Sequence, residues 1–455
     1  MLSTEEKKQL KVDNKKYIWP PFTRIEDYFN EEQLIIEEGE GCSLRDIDGN
    51  SYIDGISSLW VNIHGHNREE INRAMIDQIE KISHASLFGQ SNIPAIKLAR
   101  KLVEISPEGL DKVFYSDTGA TAVEIALKIA FQYWQQIGAK NKTKFISLKN
   151  GYHGDTIGAM SVGDINLYNK IYQPLLFPTI KVESPYCYRC PFRRLWPECD
   201  LYCIDQMEEL MQKESYYIAA LIIEPMIQAA GGMIVFPQGY LTRVRELCTE
   251  YNILMIADEI ATGWGRTGKI FACEHEEVRP DIMLLAKGIT GGYLPLAATL
   301  TSQKIFDAFL GKDEEQKTFY HGHTYTGNPI ACSAALASID LFEKDKTLEN
   351  LQKKIILLKE KLRPFSELSH VGEVRQAGFM VGIELVKDKQ SKESFSLKDN
   401  IEHKVILKAR EKGVILRPLR NVIVIMPPLN ISQKDLRELV EVTYQSIKEV
   451  TAREN

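Results

Sequence analysis

Lys287 and Asp258 are the two residues of this chain whose types and placement could do chemistry together. Each closes an apolar run: ILMIAD ends at Asp258, followed by Glu259, and DIMLLAK ends at Lys287, followed by Gly288. A lysine is an unusual end to a buried strand, because an ammonium is rarely buried unless it is paired or used covalently. An acid and a lysine at two strand ends suit pyridoxal 5′-phosphate (PLP). There the lysine amine forms a Schiff base with the cofactor and the carboxylate partners the pyridinium nitrogen. A structural ion pair would account for the same two residues, and this stretch alone leaves both readings open.

PLP brings a phosphate and a flat ring, so other segments can be weighed against those needs. Ser116-Asp117-Thr118-Gly119-Ala120 lies between a predicted strand and a predicted helix. Its small residues let backbone N–H groups approach an anion, which a helix N-terminus favours. A plain helix cap is the alternative. His321-Gly322-His323-Thr324-Tyr325-Thr326-Gly327-Asn328-Pro329 offers a second backbone-rich phosphate contact, or an ordinary entry into a helix. In Gly151-Tyr152-His153-Gly154-Asp155 an aromatic residue held between glycines could stack on a ring, with Asp155 orienting a polar neighbour. Its position after a strand favours a site over a surface loop. Arg417, in VILRPLRNV, is either a planar fork for a carboxylate or a solvated charge at a strand edge.

Other motifs do not carry the chemistry. Gly263-Trp264-Gly265-Arg266-Thr267-Gly268 fits G-x-G-x-x-G, but no helical stripe follows and Asp281 begins a strand instead of ending one. The dinucleotide-binding reading is therefore rejected. His64-Gly65-His66 lacks a third nearby metal ligand and reads as a turn after Trp60. Cys187, Cys190, Cys199 and Cys203 form C-x2-C-x8-C-x3-C, a spacing open to a structural zinc or iron–sulfur clip or to four reduced thiols. Neither would be part of the chemistry, for which no metal is expected.

The elements that must position these residues follow from periodicity. Strands are predicted at 113–117, 144–148, 219–226, 253–260, 281–288 and 295–302. After the first comes a helix with Ala122, Ile125, Ala126, Ile129 and Tyr133 on one face. Alternating strands and helices give an α/β fold with a mostly parallel sheet flanked by helices. From about residue 330 long amphipathic helices, a strand pair around Val374–Leu385, a helix near 400–412 and a VIVIMPP strand indicate a smaller α+β domain. The expected division is 1–68 as an N-terminal segment joining the small domain, 69–329 as the large domain and 330–455 as the small one. A length of 455 residues accommodates two lobes. A net charge of −6, with 56 basic and 62 acidic residues, gives no reason to expect nucleic acid as a partner. The charged N-terminus and the lack of a long apolar run predict a cytoplasmic protein with no membrane association.

Together the segments resemble the class III aminotransferases of PLP fold type I, from about Trp19 to the C-terminal lobe. DEIATGWGRTGKIFACEH and PDIMLLAKGITGGYLP carry that likeness. IWPPFT, DGISSLWVNIHGHN, NGYHGDTIGAMSVG, FACEH and HGHTYTGNP are similar to the branch that converts 8-amino-7-oxononanoate to 7,8-diaminononanoate in biotin biosynthesis. The resemblance implies Lys287 as the Schiff-base lysine, Asp258 on the pyridinium nitrogen and Tyr152 on the ring. Gly119, Ala120 and His323 would serve the cofactor, with Thr324 reaching its phosphate from a neighbouring subunit and Gln228 near the ring oxygen. Phe22, Trp60, Asp155 and Gly322 would line the substrate pocket, and Arg417 would bind the substrate carboxylate. The implied assembly is a homodimer with active sites at the interface. The implied amino donor is S-adenosylmethionine. Well-known members of the branch carry a Trp pair and a Pro where this chain has Leu59-Trp60 and His323, which keeps L-lysine open as donor. Another class III ω-aminotransferase, of the ornithine or 4-aminobutyrate type, is the alternative activity.

Overall fold

The computed structural model describes residues 2–452. Seven strands form the central sheet: β1 (Lys112–Ser116), β2 (Lys144–Leu148), β3 (Ile180–Val182), β4 (Ile218–Ile223), β5 (Leu254–Asp258), β6 (Ile282–Leu285) and β7 (Ala297–Thr301). Their spatial order is β1-β7-β6-β5-β4-β2-β3. β7 is antiparallel to both neighbours, and the other pairings are parallel. All residues of β4 and β5 are buried, as expected for apolar strands covered on both faces.

Side chains alternate across a strand, so one sheet feeds two cores. Ala220, Ile222, Leu254 and Ile256 pack with the predicted stripe of the helix Gly119–Gln136. Leu221, Ile223, Met255 and Ala257 pack instead with Val244 and Leu247 of the helix Tyr240–Glu250. Each fully buried aliphatic side chain contributes about 1.5–3 kcal/mol, so the strand register is strongly specified.

The C-terminal region builds a second, antiparallel sheet from Val371–Ala377, Met380–Leu385, Val422–Ile425 and Arg417–Leu419. A third sheet joins the chain ends: Ile36–Glu40, Ser43–Asp46 and Ser51–Asp54 pair antiparallel, and the last pairs with Val414–Ile415. The helix Pro329–Lys344 packs on the helices Glu69–Ile79 and Ile93–Ile105. No helix among the described residues is long and apolar enough to cross a membrane.

Candidate active site

β2, β4, β5 and β6 run in one direction, so the loops at their C-terminal ends gather at one edge, where open α/β sheets bind ligands. A cavity of about 690 Å³ lies there, within the usual range for a small-molecule site. Its walls include Lys287, Asp258, Tyr152, Asp155, Gly119, Ala120 and Trp60, which the sequence scatters over more than half the chain.

Lys287 opens a short turn just past β6, with φ 45°, a left-handed conformation that costs a non-glycine residue about 1–3 kcal/mol. Its Nζ lies 5.5 Å from the centroid of the Trp60 ring. Among the described residues it has no carboxylate within 4.0 Å. Burial lowers its pKa below the ordinary lysine value and Arg266 adds to this, while Asp258 and Glu224 pull the other way. A buried amine held towards its neutral form is a nucleophile.

Asp258 is held by other partners. Its Oδ2 lies 2.7 Å from His153 Nδ1, and its Oδ1 accepts the Ile260 N–H at 3.1 Å. Both side chains of the His153–Asp258 pair are almost wholly buried. The ion-pair reading of Asp258 and Lys287 is thereby set aside: they face one cavity without touching.

The segment expected to cradle an anion lies at the start of the helix Gly119–Gln136. Thr118 caps it, its Oγ1 accepting the Thr121 N–H at 3.3 Å. Gly119 and Ala120 precede the first intrahelical hydrogen bond and line the cavity. A Cβ on Gly119 would stand 3.0 Å from Ile260, and one on Gly154, at φ +128°, would stand 2.5 Å from Ala120 Cβ. Those two glycines let three loops close around the helix end. Trp60 Nε1 and Thr156 Oγ1 are buried at the cavity with no hydrogen-bond partner among the described residues, donors that a ligand would satisfy.

Tyr152 donates its hydroxyl to Asp155 Oδ2 at 2.8 Å. Phe22 does not line the cavity. It is exposed and packs edge-on against Tyr168, 5.1 Å between centroids, and Tyr168 in turn lies 6.1 Å from Tyr152. Arg417 is half-buried on the strand Arg417–Leu419, away from the cavity wall, and its charge reaches the Tyr168 hydroxyl. Gln228 is buried outside the cavity, its Nε2 donating to the Lys149 carbonyl at 2.9 Å. His323 Nδ1 sits 3.2 Å from Asp117 Oδ2, and Asp117 is on the cavity wall. Thr324 is exposed, its carbonyl accepting from His84 Nε2 at 2.9 Å, and Gly322 lines a separate apolar cavity of about 780 Å³. Within one chain, then, Gly322 and Thr324 are not brought to Lys287.

Two functional candidates had no assigned role in the sequence reading. His153 lies inside the Gly151–Gly154 segment, and Glu224 falls within the predicted strand 219–226, which in the structure ends at Ile223; an acid after the apolar run AALII is the signal for it. His64 and His66 do not share a site: His64 Nε2 bonds Ser338 Oγ and His66 Nε2 bonds Asp54. Cys187, Cys190, Cys199 and Cys203 do share a small cavity of about 20 Å³ with Trp196. Among the described residues no group of three or more His, Cys, Asp or Glu is arranged to hold a metal ion.

A model of the class-III aminotransferases matches residues 28–447, and the chain belongs to that family. It is a PLP-dependent aminotransferase, and a strand-end lysine amine, a buried carboxylate and a helix N-terminus around one cavity fit that cofactor. More particularly, it is 55% identical over 444 residues to the adenosylmethionine-8-amino-7-oxononanoate aminotransferase of Aquifex aeolicus, covering 97% of this chain and 98% of that one. The crystal structure of the Methanocaldococcus jannaschii protein of the same name superposes with a TM-score of 0.93 at 48% identity, covering 97% and 99% of the two chains. An ω-transaminase from Pseudomonas jessenii, solved in complex with PMP, superposes with a TM-score of 0.92 at 30% identity, covering 98% of each chain.

Proposed function

We propose that this enzyme transfers an amino group to 8-amino-7-oxononanoate, giving 7,8-diaminononanoate for biotin synthesis. Relatives that carry the substrate in their names and match over nearly their whole length support it. The structural observation that carries it is Arg417, half-buried and close enough for its charge to act on Tyr168, whose ring lies 6.1 Å from that of the cavity residue Tyr152. Such a guanidinium is a ready fork for the carboxylate of a long amino-oxo acid whose reacting end lies near Lys287.

When bound, PLP supplies an electron sink that lets an amino group leave a donor and join an acceptor in two half reactions. Lys287 Nζ would hold the cofactor covalently, then, once displaced by substrate amine, take a proton from the amine-bearing carbon and return one. Asp258 would keep the ring nitrogen protonated, and His153 keeps the Asp258 carboxylate aimed. Tyr152 would lie on the ring, and Gly119 and Ala120 would donate N–H groups to the phosphate. Trp60, Asp155 and Phe22 would shape the way in for substrate.

The donor that the relatives' names carry is adenosylmethionine. Leu59, exposed beside Trp60, favours L-lysine as a second reading, because one aromatic face fewer is available for a sulfonium or an adenine. We assign the chain to a cytoplasmic homodimer built from a large domain (69–329) and a small one (330–455) joined by residues 1–68. The pairing of Ile53 with Val414 supports the last point. The exposed Phe88, Ile96 and Tyr320 at the second apolar cavity support burial against another copy, which would bring Thr324 of the partner subunit to the phosphate.

Purified protein, PLP and 8-amino-7-oxononanoate, incubated in parallel with S-adenosylmethionine and with lysine, test the reading. Diaminononanoate should form with one of them and not at all with Lys287→Ala. No product with either donor, but turnover of ornithine or 4-aminobutyrate, would replace it with the ω-aminotransferase alternative.

A further inference from the structure

Glu224 stands one residue past β4, lines the cavity and is 4% exposed, yet the transamination steps above do not use it. Its two oxygens serve two different loops. Oε1 accepts the Tyr152 N–H at 3.1 Å, and Oε2 accepts the Ala229 N–H at 2.9 Å. The same loops touch again where Gln228 Nε2 donates to the Lys149 carbonyl at 2.9 Å. At Gly231 they are so close that a Cβ would stand 2.3 Å from the Asn150 carbonyl oxygen. One carboxylate thus ties the residue meant to stack on the cofactor to a neighbouring loop and to the end of a core strand.

We infer that Glu224 is a positioning residue of this aminotransferase: its carboxylate clamps the Tyr152 backbone to the 228–231 loop and so sets the Tyr152 ring against the cofactor. The inference rests on the reading of the cavity as the cofactor site. A positioning role, not a proton-transfer role, follows from the hydrogen bonding, since both oxygens already accept backbone N–H groups. The titratable groups facing Glu224 are Tyr152 and His153, Asp258 at the end of β5 and Lys287 after β6. Burial pushes its carboxyl up to about 7 and Asp258 adds to this, while His153 and the two N–H groups pull it down. A protonated carboxyl has one weakened acceptor, so the clamp loosens on one side as pH falls through that value.

Glu224→Gln keeps the size and one acceptor but sets an NH2 against a backbone N–H. In the holoenzyme it should speed amide hydrogen exchange in segments 150–155 and 228–232 by roughly tenfold, the loss of one hydrogen bond to a charged group. The induced circular dichroism of bound PLP should shrink, and kcat should fall more than KM rises. In the wild type, exchange in those two segments, corrected for intrinsic rates, should show extra opening below about pH 7 that Glu224→Gln lacks. Wild-type exchange and an unchanged cofactor signal in Glu224→Gln would overturn the inference. If that variant does not fold, the wild-type exchange profile between about pH 6 and 8 decides: no extra opening at the low end refutes the clamp. The cofactor reading fails separately, by loss of any PLP absorption that depends on Lys287, and the amide exchange of the two segments can be read in either case.

Discussion

Removing the His153 imidazole probes whether Asp258 works as an aimed carboxylate. The 2.7 Å contact between His153 Nδ1 and Asp258 Oδ2 is shielded from water, with 1% and 4% side-chain exposure. A hydrogen bond to a charged group is worth about 1.5–3 kcal/mol. His153→Ala strips Asp258 of that donor and leaves it, among the described residues, the Ile260 N–H on its other oxygen. If that energy is used to hold the carboxylate on the pyridinium nitrogen, kcat/KM should fall roughly ten- to hundredfold, at about 1.4 kcal/mol per factor of ten. The loss should appear in both half reactions, because both need the ring nitrogen protonated. His153→Asn places an amide nitrogen near the position of Nδ1 and should recover part of it. The assay is single-turnover absorbance of bound PLP with each substrate in turn, with thermal unfolding measured alongside to separate stability from catalysis. Activity of His153→Ala within about twofold of wild type, at an unchanged melting temperature, would refute the argument.

Gly154→Ala should weaken PLP binding by roughly tenfold or more, because its Cβ would meet Ala120 at 2.5 Å from a backbone at φ +128°. An equilibrium titration of the apoprotein showing wild-type affinity would contradict this. Arg417→Lys should raise KM for the amino-oxo acid by about tenfold, with kcat changed only a few-fold, since a lysine cannot form the bidentate fork. Steady-state kinetics with no change in KM would remove Arg417 from the substrate site. Burial, and then Arg68, press the pKa of His64 down to about 3 from 6.5, so the folded chain binds fewer protons there than the unfolded one. Its stabilising share is therefore present above 6.5 and is lost as pH falls towards 3. At about pH 5.5 the cost is about 1.4 kcal/mol. His64→Gln should flatten the decline of thermal stability between about pH 7 and 5.5 by that amount, and an unaltered decline would refute it.

The core strands were legible because they are buried on both faces: apolar runs at 144–148 and 253–260 left little choice. The terminal strands Ile36–Glu40 and Ser43–Asp46 carry charged, largely exposed residues with no apolar run to mark them, and the pairing of Ser51–Asp54 with Val414–Ile415 depends on a distant partner that no local pattern reveals. The site divided along the same line. Lys287, Asp258, Gly119 and Tyr152 stand at ends of apolar strands or starts of helices, where periodicity breaks off and marks them. Glu224 bears the same mark but falls inside the predicted strand 219–226, which in the structure ends at Ile223. Distances between strand ends are beyond one-dimensional reading, and only the structure shows that Asp258 pairs with His153 and not with Lys287.

The pairing of Ile53 with Val414 also has a timetable. On the ribosome, the first three strands emerge long before residues 414–415 exist. At roughly 5–20 residues per second the interval is tens of seconds. Throughout it Ser51–Asp54 presents an open strand edge, and the loop that follows, with Trp60, hangs from an unfinished sheet. The large sheet, whose strands lie between residues 112 and 301, is finished first and can fold as a platform. The strand Val414–Ile415 then captures the N-terminal arm. Release of nascent chains stalled before residue 414 should therefore yield a folded sheet that binds cofactor poorly, with the arm open to proteases.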